Sequence, residues 1–184
     1  MASELPAVRP VMLLHQEGVI GLVAVLGLGL RDGNPVGGLA PQGPLVLSVA
    51  VGALAGVAAS GALWLTRRLP PLAELQRFQQ RLVSGWTAVD AAAVALLSGI
   101  AEEALLRALL QPVIGLVPAA LLFAVLHLVP DRRLWMWPAI ALVLGLVLGV
   151  IFSRFGYPAA ATAHCAINLL ALLRLRRCEA VAAE

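Results

Sequence analysis

The sequence predicts an all-α, polytopic membrane helix bundle of about six transmembrane helices with one interfacial amphipathic helix. Three observations carry that expectation. Hydrophobic residues make up 61% of the 184 residues and charged residues only 12%, about half the charge that a soluble domain carries. Apolar runs that approach the length needed to cross ~30 Å of hydrocarbon at ~1.5 Å per residue recur along the chain. All 13 basic residues are arginines, and all but Arg107 are dispersed at the ends of those runs and not gathered into a patch. The net charge of +3 is therefore topological, and no nucleic-acid partner is expected.

The first span runs from about Val11 to Leu30, with His15 and Glu17 near its start. Glu4 and a single Arg9 precede it, and its end, LGLGLRDGNP, lacks a small-x-small cleavage site. It therefore reads as a retained helix and not a cleaved signal peptide. The Gly/Pro-rich RDGNPVGGLAPQGP is a loop, and the second span covers about Leu45 to Thr66. In RRLPPLAELQRFQQRLVSGW, Pro70 and Pro71 can open a helix. Leu72, Leu75, Phe78 and Leu82 then recur at three- and four-residue steps, opposite Arg77, Gln79, Gln80 and Arg81. That pattern is an amphipathic helix lying on a membrane surface.

The third span covers about Thr87 to Gln111, the fourth about Pro112 to Val129, the fifth about Trp137 to Phe152 and the sixth about Tyr157 to Leu173. The last two look short. Gly52 with Gly56, and Gly145 with Gly149, are small residues four apart that allow helices to approach closely. Residues 1–184 form one integral membrane domain, with a two-helix N-terminal part (about 1–66) and a core (about 85–175). Cys165 and Cys178 have no metal-type spacing and frame no disulfide scaffold.

Orientation follows from the arginines. With six spans, Arg9, Arg67, Arg68, Arg77, Arg81, Arg132, Arg133, Arg174, Arg176 and Arg177 fall on one side, against Arg31 and Arg154 on the other. The excess of basic residues marks the cytoplasmic side, so both termini are expected in the cytoplasm of a bacterial inner membrane. Trp64, Trp86, Trp135 and Trp137 fall near that same boundary, as interfacial anchors do.

A few polar residues remain inside the spans: Glu102, Glu103, Arg107, His127, His164 and Asn168. Charges there cost roughly 2.5–3.5 kcal/mol each on insertion scales and mark functional sites. Asp90, His15 and Glu17 lie close enough to an interface to be solvated. Glu103 and Arg107 are four apart and set for an ion pair, which leaves Glu102, about 100° round the helix, free to face elsewhere. His164 and Asn168 share one helix face, as do Phe123 and His127. Such a network could merely glue helices together. A carboxylate base, imidazoles and an amide donor are also what activating water against an amide bond requires.

EEALLR (102–107), FAVLH (123–127) and HCAIN (164–168) resemble the three ordered motifs of the CPBP family: E-E-x-x-x-R, F-x-x-x-H and H-x-x-x-N, each on its own membrane helix. This family comprises the CAAX-protease and bacteriocin-processing membrane proteins, also called Abi or glutamic intramembrane proteases. The likeness covers roughly residues 85–175. Leu106 and Ala108 stand where members often have an aromatic residue and a glycine.

The resemblance implies an intramembrane endopeptidase acting on a membrane-anchored protein or peptide substrate. Glu102 would activate water, His127 would position and polarise it, and His164 and Asn168 would stabilise the oxyanion. Glu103 and Arg107 would hold the helix and tune Glu102, and Phe123 would support His127. Two substrate classes fit, a prenylated or lipid-linked C-terminus and a C-terminal sorting helix like those removed by myxosortases, with the balance towards the second. No cofactor is expected. The less favoured alternative is zinc on Glu102, His127 and His164, since a local H-E-x-x-H helix is absent. The competing classes are a non-enzymatic immunity factor or scaffold and a proton or ion pathway.

One difficulty is depth. With straight spans, Glu102 and His164 fall in the outer half of the bilayer and His127 near the inner end of the fourth span. They meet only if helices tilt, stagger or break, and Pro112, Gly115 and Pro118 could supply such a break.

Overall fold

Pro10 occupies the first turn of α1 (Pro10–Asp32), where its missing N–H loses no hydrogen bond. Gly33, left-handed at φ 67°, ends the helix by donating its N–H to Gly29 O. The computed structural model describes residues 7–182, with side chains as far as Arg176. Glu4 and the side chains of Arg177 and Cys178 lie outside the described residues.

The expected spans appear as helices, with two changes. α2 (Leu45–Thr66) and the amphipathic α3 (Pro70–Leu82) match their predicted ranges. α4 (Ala88–Glu103) starts on a capping box in which Thr87 and Asp90 satisfy each other's backbone N–H groups, so Asp90 is a helix-capping residue. α4 continues through a π-helical turn, Ala104–Leu110, and a last helical turn, α5 (Gln111–Ile114). The chain then reverses into α6 (Leu116–Leu126), followed by α7 (Met136–Phe155) and α8 (Tyr157–Ala182). Among the described residues, four segments are each long and apolar enough to cross a membrane, namely α1, α2, α7 with the turn before it, and α8 up to Arg176. The last two are longer than the sequence suggested.

The third and fourth spans are where expectation and structure part. Pro112 has no N–H, so the Ala108 carbonyl four residues earlier loses its helical partner. Arg31, reaching across from α1, donates to Ala108 O at 3.1 Å and to Leu109 O at 2.5 Å. The chain therefore stays helical past the proline, and the expected boundary at Pro112 is wrong. The break comes at Gly115, whose φ of 88° suits a residue without Cβ. α6 is only 11 residues long, roughly 16 Å, about half the hydrocarbon thickness. That shortness resolves the depth difficulty. Glu103 lies twelve residues before Gly115 and His127 twelve after it, so an antiparallel hairpin sets them level.

Apolar side chains face outward, as Leu30 (90% exposed) and Val46 (82%) do, and small residues fill the interior. Ser48, Gly52, Gly56 and Ser60 form the buried stripe of α2. It lies on the α8 backbone so closely that a Cβ at Gly52 would stand 2.3 Å from Ala159 O, and one at Gly56 2.6 Å from Ala163 O. Lipid provides no hydrophobic drive for helix association, so contact of this closeness is what holds the pair together. α1 packs on α4, and α4 on α8. The N-terminal helices thus clothe the core and do not stand apart from it.

Gly52→Val should destabilise the bundle by about 1–3 kcal/mol through overpacking. Gly61→Val, on the same helix with nothing within 4 Å of its Cβ position, should leave it intact. Thermal unfolding of the two variants in mild detergent checks the contrast.

Candidate active site

The helices meet around a charged group that has no contact with solvent. Glu103 and Arg107 are both fully buried, and Arg107 Nε donates to Glu103 Oε2 at 3.0 Å. The expected ion pair is present. Glu103 has a second role that the sequence did not announce, because its Oε1 accepts from His164 Nδ1 at 2.8 Å. With Nδ1 committed to a carboxylate, that imidazole is held in one orientation and its Nε2 is the edge left over. Gly99 makes the approach possible. A Cβ there would stand 2.6 Å from Cys165 Sγ and 2.7 Å from Cys165 N, so α4 and α8 touch almost backbone to backbone.

His127 is fixed in an analogous way. It follows the C-terminus of α6, where carbonyls lack helical partners, and its Nδ1 lies 2.8 Å from Phe123 O. A carbonyl only accepts, so Nδ1 carries the proton and Nε2 presents a lone pair. The Phe123 ring lies between the two imidazoles, edge-on to His127 at 4.6 Å between centroids and to His164 at 5.6 Å, with the Arg107 guanidinium carbon 5.5 Å away. Gly145 sets that ring, since a Cβ there would stand 3.2 Å from Phe123 Cδ1. On its other side, His127 packs edge-on to Trp137 at 5.9 Å, and Trp137 packs on Phe78 of α3 at 5.8 Å. A row of rings thus connects the surface helix to the half-buried His127 and the buried His164.

Asn168, one turn beyond His164, donates through Nδ2 to Ser98 Oγ at 2.9 Å, and Ser98 donates to Ala95 O at 3.3 Å. One Asn168 N–H and its carbonyl oxygen are left for other partners. His127, His164 and Asn168 all line one cavity of about 200 Å³. Its walls are apolar, with Ile140, Leu144, Leu148 and Ile167 among them. Towards α3 it is bounded by Gln76, Gln79, Arg67 and Arg174, and both arginines stack on Trp64, at 3.6 Å and 5.2 Å.

Glu102 lies differently from its expected companions. Among the described residues no hydrogen bond joins it to His127, His164 or Asn168, although His164 is close enough to feel its charge. Its Oε2 is buried without a hydrogen-bond partner, and its carboxyl meets that of Glu17 on α1. Glu17 was expected near a solvated interface and is instead only 5% exposed. The reason is its face on α1, which turns towards α4, whereas His15, two residues earlier, is exposed. Among the described residues no three His, Cys, Asp or Glu side chains group closely enough to hold a metal ion.

Sequence reasoning missed Ser98, Gly99 and Trp137. Ser98 stands one helical turn before Glu102, a spacing that could have placed it beside the site. Gly145 was legible as a packing residue, but its role in seating Phe123 was not. Residues 84–170 match a family model described as Rce1-like, type II CAAX prenyl endopeptidase. The match holds the whole His, Glu and Asn constellation and leaves α1, α2 and α3 outside it. No curated protein and no solved structure gives a significant match.

Removing one partner of a buried ion pair strands the other charge, so Glu103→Leu should destabilise the bundle by about 3–5 kcal/mol. Adding Arg107→Met to it should recover much of that loss. Denaturant titration in detergent of the single and double variants measures the difference.

Proposed function

The chain belongs to the CPBP family through residues 84–170, and from that premise we propose that it is an intramembrane endopeptidase using a glutamate-activated water. The observation that supports this reading best is that two imidazoles anchored at Nδ1 and one carboxamide line the same cavity inside a membrane bundle. Their remaining polar edges can converge on one reacting carbonyl. Hydrogen bonds that only glued helices would not need an adjoining cavity.

In this reading Glu102 takes a proton from water as the oxygen adds to the scissile carbonyl carbon. The His127 Nε2 lone pair accepts from the same water and fixes its direction. The tetrahedral oxyanion is met by the free Asn168 N–H and by His164, which donates through Nε2 when its ring is protonated. The carboxyl proton then passes to the amide nitrogen as the C–N bond breaks. Glu103 and Arg107 orient His164, and Phe123 keeps the two imidazoles apart. Each preset group saves reorganisation at the moment of reaction, in a medium where water cannot screen it.

The substrate in this proposal is a membrane-anchored protein cut near its C-terminal anchor. In this reading the membrane is a bacterial inner membrane, and the arginine pattern supports a cytoplasmic position for both termini and the α3 side of the cavity. A tail would then reach the histidines along α3, between Trp64 and Trp137. Both a prenylated CAAX-type tail and a C-terminal sorting helix can be presented this way. The proposed mechanism uses no metal.

In liposomes supplied with each tail in turn, the tail that is cut names the substrate class. Glu102→Gln should lower cleavage by roughly 10²–10⁴-fold, and Asn168→Ala by roughly 10²–10³-fold. Chelator should leave the rate unchanged. Undiminished cleavage by a folded Glu102→Gln variant would sink the glutamate mechanism.

A further inference from the structure

We propose that Glu17 of α1 is a positioning residue for Glu102, the two carboxyl groups forming a pair that holds a single shared proton. This rests on the reading of Glu102 as the base, and it adds a residue that lies outside both the three motifs and the family-matched segment. The geometry is specific. Glu17 is only 5% exposed and sits in the α1–α4 interface, where a Cβ added to Gly21, one turn further along, would stand 3.5 Å from the Ala101 Cβ. Its carboxyl faces α4 close enough to that of Glu102 for the two groups to interact. Yet Glu17 Oε2 and Glu102 Oε2 have no hydrogen-bond donor among the described residues.

Two ionised carboxylates in that position would face each other as acceptors in a low-dielectric interior, with like charges repelling. One proton between them removes both penalties. It supplies the missing donor and halves the charge. Among the described residues no arginine forms an ion pair with either carboxyl, and Arg107 pairs through Nε with Glu103. The titratable groups that bear on Glu17 are Glu102 and His164, and His164 is already held by Glu103. The pair therefore has to solve its own electrostatic problem.

The shared proton gives Glu102 a defined start and end. The resting pair holds one proton and one negative charge. When water attacks, its oxygen bonds to the carbonyl carbon and its proton moves to the pair, which then holds two protons and no charge. As the C–N bond breaks, one proton passes to the leaving nitrogen, and the pair returns to one proton and one charge. Glu17 touches neither substrate nor water and acts through Glu102.

Infrared spectra of the full-length protein in liposomes at neutral pH test the pair without reference to activity. The wild type should show the C=O stretch of a protonated carboxyl group. Glu17→Gln and Glu102→Gln should each abolish or shift it, because the carboxyl left behind has no carboxylate with which to share a proton. No such band in the wild type, or a band unchanged in either variant, overturns the proposal. In the cleavage assay Glu17→Gln, folded as judged by thermal unfolding, should lower kcat by roughly tenfold or more with KM within about twofold of wild type. An unchanged kcat removes the positioning role even if the band behaves as expected. Activity retained in Glu102→Gln would instead defeat the underlying assignment of the base, so the two failures are separable.

Discussion

A single buried electrostatic triad, Arg107–Glu103–His164, sets the terms for everything around it. All three side chains lie where solvent does not reach, so the attraction among them is weakly screened and the loss of any one strands the others. The triad joins α8 to the π-helical turn that follows α4. It thereby ties two motifs far apart in sequence into one rigid object, and that object orients an imidazole. In a soluble protein the same ion pair would be a minor surface feature. In the membrane interior it is a constraint that the fold must satisfy.

Two backbone devices bring the rest of the site to that triad. The first is the reversal at Gly115, which folds α6 back as a half-length helix so that Phe123 and His127 lie level with Arg107 and Glu103. Pro112, the residue that looks like the break, is not the break, because Arg31 supplies the donor that the proline takes away. The second is close packing at small residues. Gly99 lets α4 reach Cys165, and Gly145 lets α7 reach Phe123. An added methyl at either position would act directly on the alignment of a histidine.

The amphipathic α3 is part of the same arrangement. Leu75 and Phe78 bury against Leu134 and its neighbours, including Trp137, and Trp137 touches His127. A helix that rests on the membrane surface is thus one aromatic ring away from the candidate catalytic group. It also forms one wall of the cavity. α3 therefore bears both on a wall of the cavity and, through Trp137, on His127.

The sequence by itself determined the all-helical membrane architecture, most helix ranges, the surface helix, the Glu103–Arg107 pair and the two polar faces carrying His127 and His164 with Asn168. These follow from local physics, because hydropathy, three- to four-residue spacing and arginine placement act within one segment. Only the tertiary structure decided which element each polar face would meet. It gave Glu103 the imidazole of His164, placed Glu102 against Glu17, withdrew Glu17 from solvent and moved the helix break from Pro112 to Gly115. Each of these depends on an atom from a distant segment: an arginine from α1, a glycine on α4 opposite Cys165, a carboxylate from a helix outside the motifs. Spacing along one helix tells which side chains share a face. It does not tell what the neighbouring helix will bring to that face, and for buried charge the neighbour decides the chemistry.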